Sequence, residues 1–372
     1  MLEAVALASR GAGRTSPNPL VGAVVLDASG TPVGRGWHDQ AGSAHAEVVA
    51  LRGAGEKARG GTIVVTLEPC SHYGRTPPCT KAIVEAGITR LVYAVQDPTL
   101  MAGGGAAELA AGGIEVEQGL CQAEAERVNE AWLFAMGLRR PFVTWKVAST
   151  LDGRIAAPDG TSKWITSEAA RADAHRLRAT VDAILTGVGT VLADDPRMTV
   201  RDAEGREVAH QPLRVVLDSE GRTPKGAQVL QGRASTLVFI AEKERVPRHL
   251  ALVAPVPRAE EKVRERSRRL RDAPDAKAEE RPRLDLLRVL DVLYGRGVRH
   301  VLLESGPTLA GAFVDADLVD RVVAYVAPAL LGGRAPGILG GVGVETIDDA
   351  LRLHLDDVRT VGGDVRIEAR PV

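Results

Sequence analysis

HAEVVAL at 45–51 and TLEPCSHYGRTPPC at 66–79 are the strings from which this chain is read. They set out His45, Glu47, Cys70 and Cys79 in order. One imidazole and two thiolates make three ligands for a tetrahedral zinc and leave its fourth position to water. Glu47, two residues from the histidine, can move protons without binding the metal. That combination suits hydrolytic deamination of a nucleobase. A metal-activated water attacks the ring carbon that bears the amine, and the glutamate carries the proton to the ring nitrogen and the leaving ammonia. A structural zinc is the alternative, and it would want a fourth protein ligand. The remaining cysteine, Cys121, has no motif around it and is expected to be a small buried residue.

Eight residues separate the two cysteines, where the usual deaminase signature has about two. Gly74, Pro77 and Pro78 can hold the longer loop in one shape. Pro78 also suits the start of a helix, which places Cys79 in its first turn, where the helix terminus favours thiolate.

Outward from these strings the pattern is α/β. VGAVVLD (21–27), TIVVTLE (62–68), RLVYAV (90–95) and IEVEQG (114–119) read as strands, and 45–53 and 80–87 as helices. A break falls at Arg139, Arg140 and Pro141, predicting domains 1–140 and 141–372. In the second, strands are expected at PFVTWKVAS, 181–187, 213–219, 235–241, 299–305, 320–331 and 365–371. The dense Arg, Glu, Lys and Pro mixture at 242–283 reads as a solvated helical excursion.

Composition excludes several classes. A net charge of −1 and 3% aromatic residues speak against a nucleic-acid surface. No apolar run is long enough to span a membrane. The first residues lack a basic segment before their apolar stretch and are read as a helix of the mature protein. Three cysteines in 372 residues make no disulfide framework, so a reducing cytoplasmic setting is expected.

The second domain has no GxGxxG after a strand. Its better anion candidate is ESGPTLAGAF (304–313), where an apolar strand runs through Ser305 and Gly306 into a helix whose free N–H groups suit a phosphate. Taken alone, this string is also an ordinary strand–turn–helix joint.

TSPNPLVGAVV (15–25), the two opening strings, KVASTLDGRIA (146–156), SKWIT (162–166), TVLADDPRMTVR (190–201), ESGPTLAGAF and YVAPALLGG (325–333) together resemble the bifunctional deaminase–reductase family of riboflavin biosynthesis. The match covers nearly the whole chain except about 242–298. It implies a cytidine-deaminase-like α/β sandwich followed by a dihydrofolate-reductase-like α/β domain. The first would deaminate a diaminopyrimidinone ribosylamine phosphate with zinc. The second would use NADPH to reduce the ribosyl group to ribityl, which requires the sugar opened as an imine.

Carried over string by string, the resemblance makes His45, Cys70 and Cys79 zinc ligands and Glu47 the proton shuttle. Asn18, His38, His72 and Arg75 would meet the pyrimidine and its phosphate. In the reductase, Ala148, Trp164, Thr190, Asp194 and the loop Gly306, Pro307, Thr308, Leu309, Ala310, Gly311 and Ala312 would hold NADPH. Ser162, Arg178, Met198, Arg201 and Glu304 would face the substrate, with Lys146 near the reacting centre in no fixed role. Two arginines suit a phosphorylated ligand. Thr150 stands where the family usually has serine, and QDPTLMAGGGAAELAAGG (96–113) departs from the family's usual turn. A homo-oligomer acting on a small phosphorylated pyrimidine is expected, without nucleic-acid or membrane partners. Two rival readings remain at this stage. One is an active deaminase joined to a silent reductase-like domain, and the other is a zinc-stabilised protein that only binds.

Overall fold

The computed structural model describes residues 1–73, 77–99, 102–241, 253–256, 284–341 and 343–372. The chain divides into two compact units, Met1–Arg140 and Pro141–Val372.

Unit 1 is built on a five-stranded sheet. Its strands are β1 (Gly22–Leu26), β2 (Pro32–Trp37), β3 (Thr62–Leu67), β4 (Arg90–Val95) and β5 (Glu115–Gln118), in spatial order β2-β1-β3-β4-β5. β1 pairs antiparallel with β2 and β3, and β3, β4 and β5 run parallel. Helices cover both faces, which is why the central strands read as unbroken apolar runs. On one face α2 (Ala46–Ala54), α3 (Cys79–Glu85) and α4 (Gly105–Ala111) bury Ala50, Ile83 and Leu109 against Val25, Ile63 and Leu91. On the other, α1 (Leu2–Ala8) and α5 (Gln122–Leu138) bring Leu7 and Trp132 to Val24 and Val95. Within β2, Gly34 and Gly36 let α2 lie directly on the strand. A Cβ at Gly36 would stand 2.2 Å from the Ala46 carbonyl oxygen, and one at Gly34 would stand 2.1 Å from that of Ala50.

Unit 2 carries a nine-stranded sheet. The strands are β6 (Phe142–Thr150), β7 (Ala183–Gly187), β8 (Leu213–Leu217), β9 (Thr236–Ile240), β10 (Val253–Pro255), β11 (His300–Leu303), β12 (Arg321–Ala327), β13 (Leu353–Val361) and β14 (Asp364–Pro371). Their spatial order is β10-β9-β8-β7-β11-β6-β12-β14-β13. All pairs from β10 to β12 are parallel, and β14 and β13 close the far edge as an antiparallel hairpin. The first strand of the unit, β6, therefore lies inside the sheet between two strands from much later in the chain. One face packs against α8 (Leu286–Gly295) and α9 (Pro307–Asp315) through Leu290, Leu293, Ala310 and Phe313. The other packs against α6 (Glu168–Arg178) and α7 (Val188–Asp194).

Two expectations are corrected. The segment 242–283 is not wholly a helical excursion: Val253–Pro255 adds a parallel edge strand to β9, with Ala254 and Val256 buried. The remainder of that segment lies outside the described residues. Cys121 is half-buried, not buried, and holds a left-handed φ of 52° immediately before α5. The reason is its position: it is the cap residue where a turn enters the helix.

Candidate active sites

The first site forms where two helices of unit 1 begin. His45 is the residue before α2, with extended backbone (φ −72°, ψ 159°), so its ring projects beyond the helix end. Pro78 does the same for α3 and makes Cys79 the first helical residue. Cys70 ends the stretch that leaves β3, and its Sγ accepts from the Cys79 backbone N–H at 3.4 Å. The His45 Nδ1 lies 3.3 Å from the Cys79 Sγ and 3.6 Å from the Cys70 Sγ. One nitrogen and two sulfurs within 4.8 Å of one another are a soft donor set that fits zinc, and among the described residues no other such group forms.

The two thiols do not ionise alike. The Cys70 thiol is pulled down to about 4, first by its hydrogen bond with Cys79 and, against burial, by His45. The proton shared between the sulfurs pushes Cys79 up in turn. Glu47 sits in the first turn of α2, only 3% exposed, and burial raises its carboxyl. Around this centre the His38 ring stacks edge-on to His45 at 5.5 Å. His38 Nδ1 lies 3.2 Å from the Ala44 carbonyl, and its Nε2 lies 3.2 Å from the Asn18 amide. Asn18, His38, His45, Glu47, Cys70 and Cys79 thus converge. His72 follows on the same loop, its Nδ1 buried without a hydrogen-bond partner. Arg75 lies outside the described residues.

Sequence reading missed what holds this rim. Asn129, 2% exposed on α5, pairs with both backbone groups of Leu20: its Oδ1 accepts from the N–H at 2.8 Å and its Nδ2 donates to the carbonyl at 2.7 Å. Trp132 Nε1 donates to the Pro17 carbonyl at 3.1 Å. Both fix the segment that carries Asn18. Glu68 does likewise on the other side, accepting from the backbone of Asp97, Gly104 and Ala106. A buried Asn in the apolar stripe of α5 was the available signal.

The second site gathers where the central strand β11 of unit 2 ends. Glu304, at the end of β11, receives a two-pronged ion pair from Arg178: Nε to Oε1 at 2.6 Å and Nη2 to Oε2 at 2.7 Å. Burial alone would raise the Glu304 carboxyl, but Arg178 more than reverses this and holds it at about 2. Arg178 Nη1 also donates to the Thr199 carbonyl at 3.1 Å. All three nitrogens of its guanidinium thus have partners inside the protein. Lys146 faces the same pair, with burial lowering its pKa. Met198 is buried with a left-handed φ of 52°, and Arg201 follows it. Gly306 precedes α9 with Pro307 in the first turn, and its N–H donates to the Thr190 Oγ1 at 3.2 Å. Ser305 Oγ, beside that turn, is buried and unpartnered. Thr308 is exposed and Gly306, Pro307, Leu309 and Ala312 are half-buried, but Ala310 is packed in the core. Gly311 backs onto Gly340, whose carbonyl oxygen would be 1.9 Å from an added Cβ. Ala148 and Ser162 are half-buried, while Trp164 and Asp194 are exposed, Trp164 beneath the Arg171 guanidinium at 4.3 Å.

Residues 1–95 match the family model of the cytidine and deoxycytidylate deaminase zinc-binding region, and 141–367 match that of the RibD C-terminal domain. The chain belongs to the RibD family. It is 45% identical over 354 residues to the riboflavin biosynthesis protein RibD of Mycobacterium tuberculosis, across 95% of this chain and 91% of that one. The structure of Acinetobacter baumannii RibD superposes with a TM-score of 0.87 at 38% identity, covering 100% of this chain and 97% of that chain. A Thermotoga maritima diaminohydroxyphosphoribosylaminopyrimidine deaminase/5-amino-6-(5-phosphoribosylamino)uracil reductase gives 0.85 at 34%, with coverage of 100% and 97%. RibD membership makes the protein a bifunctional enzyme of riboflavin biosynthesis. A cytidine-deaminase-like zinc domain is joined to an NADPH-using RibD reductase domain in one chain. No helix among the described residues is long and apolar enough to cross a membrane.

Proposed function

We propose that unit 1 deaminates a diaminopyrimidinone ribosylamine phosphate and that unit 2 reduces the ribosyl group of the product to ribityl. The observation that carries the first half is the convergence of the His45 nitrogen and the two sulfurs beside a buried carboxyl. His45, Cys70 and Cys79 hold the zinc. Zinc bound there supplies the Lewis acidity that makes water a nucleophile near neutral pH. Glu47 takes the water's proton and returns it to the ring nitrogen and the departing amine, a task suited to a carboxyl raised by burial. Asn18, whose amide can donate and accept, reads the pyrimidine edge with His38 at its back. His72 and Arg75 meet the ring and phosphate.

In unit 2 the first turn of α9 receives the cofactor. Gly306 and Pro307 open the helix so that the first-turn N–H groups from Thr308 onward face an anion, and Thr190 fixes the turn by accepting from the Gly306 N–H. Leu309, Ala310, Gly311 and Ala312 form the helical wall behind, and Ala148, Trp164 and Asp194 complete the contact. NADPH supplies the hydride. Ser162, Met198 and Arg201 hold the substrate, and the Arg178–Glu304 pair with Lys146 sets the charge where the opened sugar lies. The division of labour then follows the boundary between the two compact units, after residue 140. We place the enzyme in the cytoplasm as a homo-oligomer.

Substituting Glu47→Gln should leave zinc content intact and cut ammonia release by about 100- to 10,000-fold, with NADPH oxidation on supplied deaminated substrate unchanged. Metal analysis beside both assays checks this, and retained ammonia release would remove Glu47 from the mechanism.

A further inference from the structure

Residues 198–201, Met-Thr-Val-Arg, belong to no helix or extended strand, yet Met198, Thr199 and Val200 are all buried. Buried backbone outside secondary structure needs partners from elsewhere. The returning loop supplies one, the Val208 N–H to the Val200 carbonyl at 3.2 Å beside an isolated bridge between Arg201 and Glu207, and side chains supply the others. Gln211 pairs with both groups of Val200: its Oε1 accepts from the N–H at 2.8 Å and its Nε2 donates to the carbonyl at 2.9 Å. The same Nε2 reaches the Val208 carbonyl at 2.8 Å and ties the hairpin-like return of the loop. His175, one turn before Arg178 on α6, accepts from the Arg201 N–H through Nδ1 at 3.3 Å. Arg178 holds the Thr199 carbonyl. Between residues 199 and 201 the backbone is thus gripped by three side chains, none of them within the segment.

We infer that Gln211 and His175 are positioning residues of the reductase: together they fix the 198–201 segment in the one shape that presents Arg201 to the substrate phosphate. The inference rests on the reading of Arg201 as a substrate contact. A guanidinium on a loose loop pays ordering entropy each time it binds, and one on a segment clamped from both sides has that ordering already done. The clamp also explains the left-handed Met198. A non-glycine residue at positive φ persists where its surroundings over-determine it. Gln211 is matched to the task because one amide offers donor and acceptor side by side, as a neighbouring strand would. Glutamate in its place would keep the acceptor and lose the donor. His175 must keep Nδ1 unprotonated to accept, and burial with the adjacent arginines favours that state.

The test uses the full-length zinc-loaded enzyme, with the deaminated ribosylaminopyrimidine phosphate and NADPH varied separately. Gln211→Ala should raise the KM for the pyrimidine about tenfold or more, with a much smaller change in kcat and in the dissociation constant for NADPH. His175→Leu should do the same, and His175→Asn, which keeps an acceptor near the Nδ1 position, should recover most of the loss. Ammonia release by the other unit should be untouched. An unchanged pyrimidine KM in Gln211→Ala, beside a raised one in Arg201→Ala, overturns this inference and spares the assignment of Arg201. An unchanged KM in Arg201→Ala removes both. Parallel losses of pyrimidine and NADPH affinity would mark a general loosening and also overturn it. Should Gln211→Ala fail to fold, the His175 pair decides: equal KM for the Leu and Asn variants refutes the clamp.

Discussion

His175 lies half-buried near Arg178 and Arg201, and burial followed by those two charges drops its imidazole to about 4. His300, on β11 with the Thr144 hydroxyl 2.8 Å from its Nε2, is driven to about 3, mainly by burial and then by Arg321. Both are neutral in the folded protein at every pH where the unfolded chain begins to protonate them, near 6.5. The sign follows. The unfolded state binds more protons below 6.5, so stability contributed by these groups is complete above that value and falls as pH drops toward 4 and 3. Glu304 adds a later loss of the same direction. Its carboxyl sits at about 2, so its contribution is present above the ordinary carboxylate value and disappears as pH falls from there toward 2. Thermal unfolding of unit 2 should be flat from pH 8 to 7 and decline steadily below 6.5. Replacing His300 by Asn should flatten part of that decline; a wild-type melting temperature constant down to pH 4 would contradict the assignment.

At the level of elements, the glycines of β2 decide where the zinc ligands go. Gly36 lies against the carbonyl of Ala46, the residue between His45 and Glu47. A methyl group there cannot fit without shifting the first turn of α2, at a cost of about 1–3 kcal/mol by the usual measure of overpacking. Gly36→Ala should therefore lower zinc occupancy and ammonia release while NADPH oxidation on supplied substrate persists, and full zinc content in that variant would refute the packing argument. The same glycines explain what could be read in advance. Strands β1, β3, β4 and, β10 apart, the parallel strands of unit 2 are largely apolar and announce themselves as continuous runs rich in β-branched residues. β2, with PVGRGW, has given up side chains to let a helix approach, so its sequence resembles a turn. β13, LHLDDVRTV, is exposed along almost its whole length and has no burial to write into its pattern. β10 hides within a charged stretch. α5 escaped notice because its buried stripe is Ala125, Asn129, Trp132 and Ala135, which offers little apolar contrast. At the deaminase centre the ligand types and the helix starts were legible, because metal chemistry restricts residue choice. The supports at Asn129, Trp132 and Glu68 were not, because they act through backbone groups that any residue would offer.

Over the whole chain, each unit closes its own hydrophobic core, and only Arg139 to Pro141 separate α5 from β6. Residues 1–140 expressed alone should fold, bind zinc and release ammonia from the pyrimidine. A chain ending just before His300 should keep that activity but aggregate through an incomplete second sheet, as light scattering beside the ammonia assay would reveal. Good solubility of that fragment would show that β6 does not need its neighbours. The reason is the placement of β6 between β11 and β12. The strand ends at Thr150 and its first partner begins at His300, so roughly 150 residues must be made before it can pair. At a translation rate of ~5–20 residues per second, that is a wait of roughly 8–30 s. During that interval the ribosome carries a finished deaminase with a bare apolar ribbon, FVTWKVAS, emerging behind it. The moment at which this enzyme most needs a chaperone is thus fixed by the order in which its strands are spoken, and it comes after its first active site is complete.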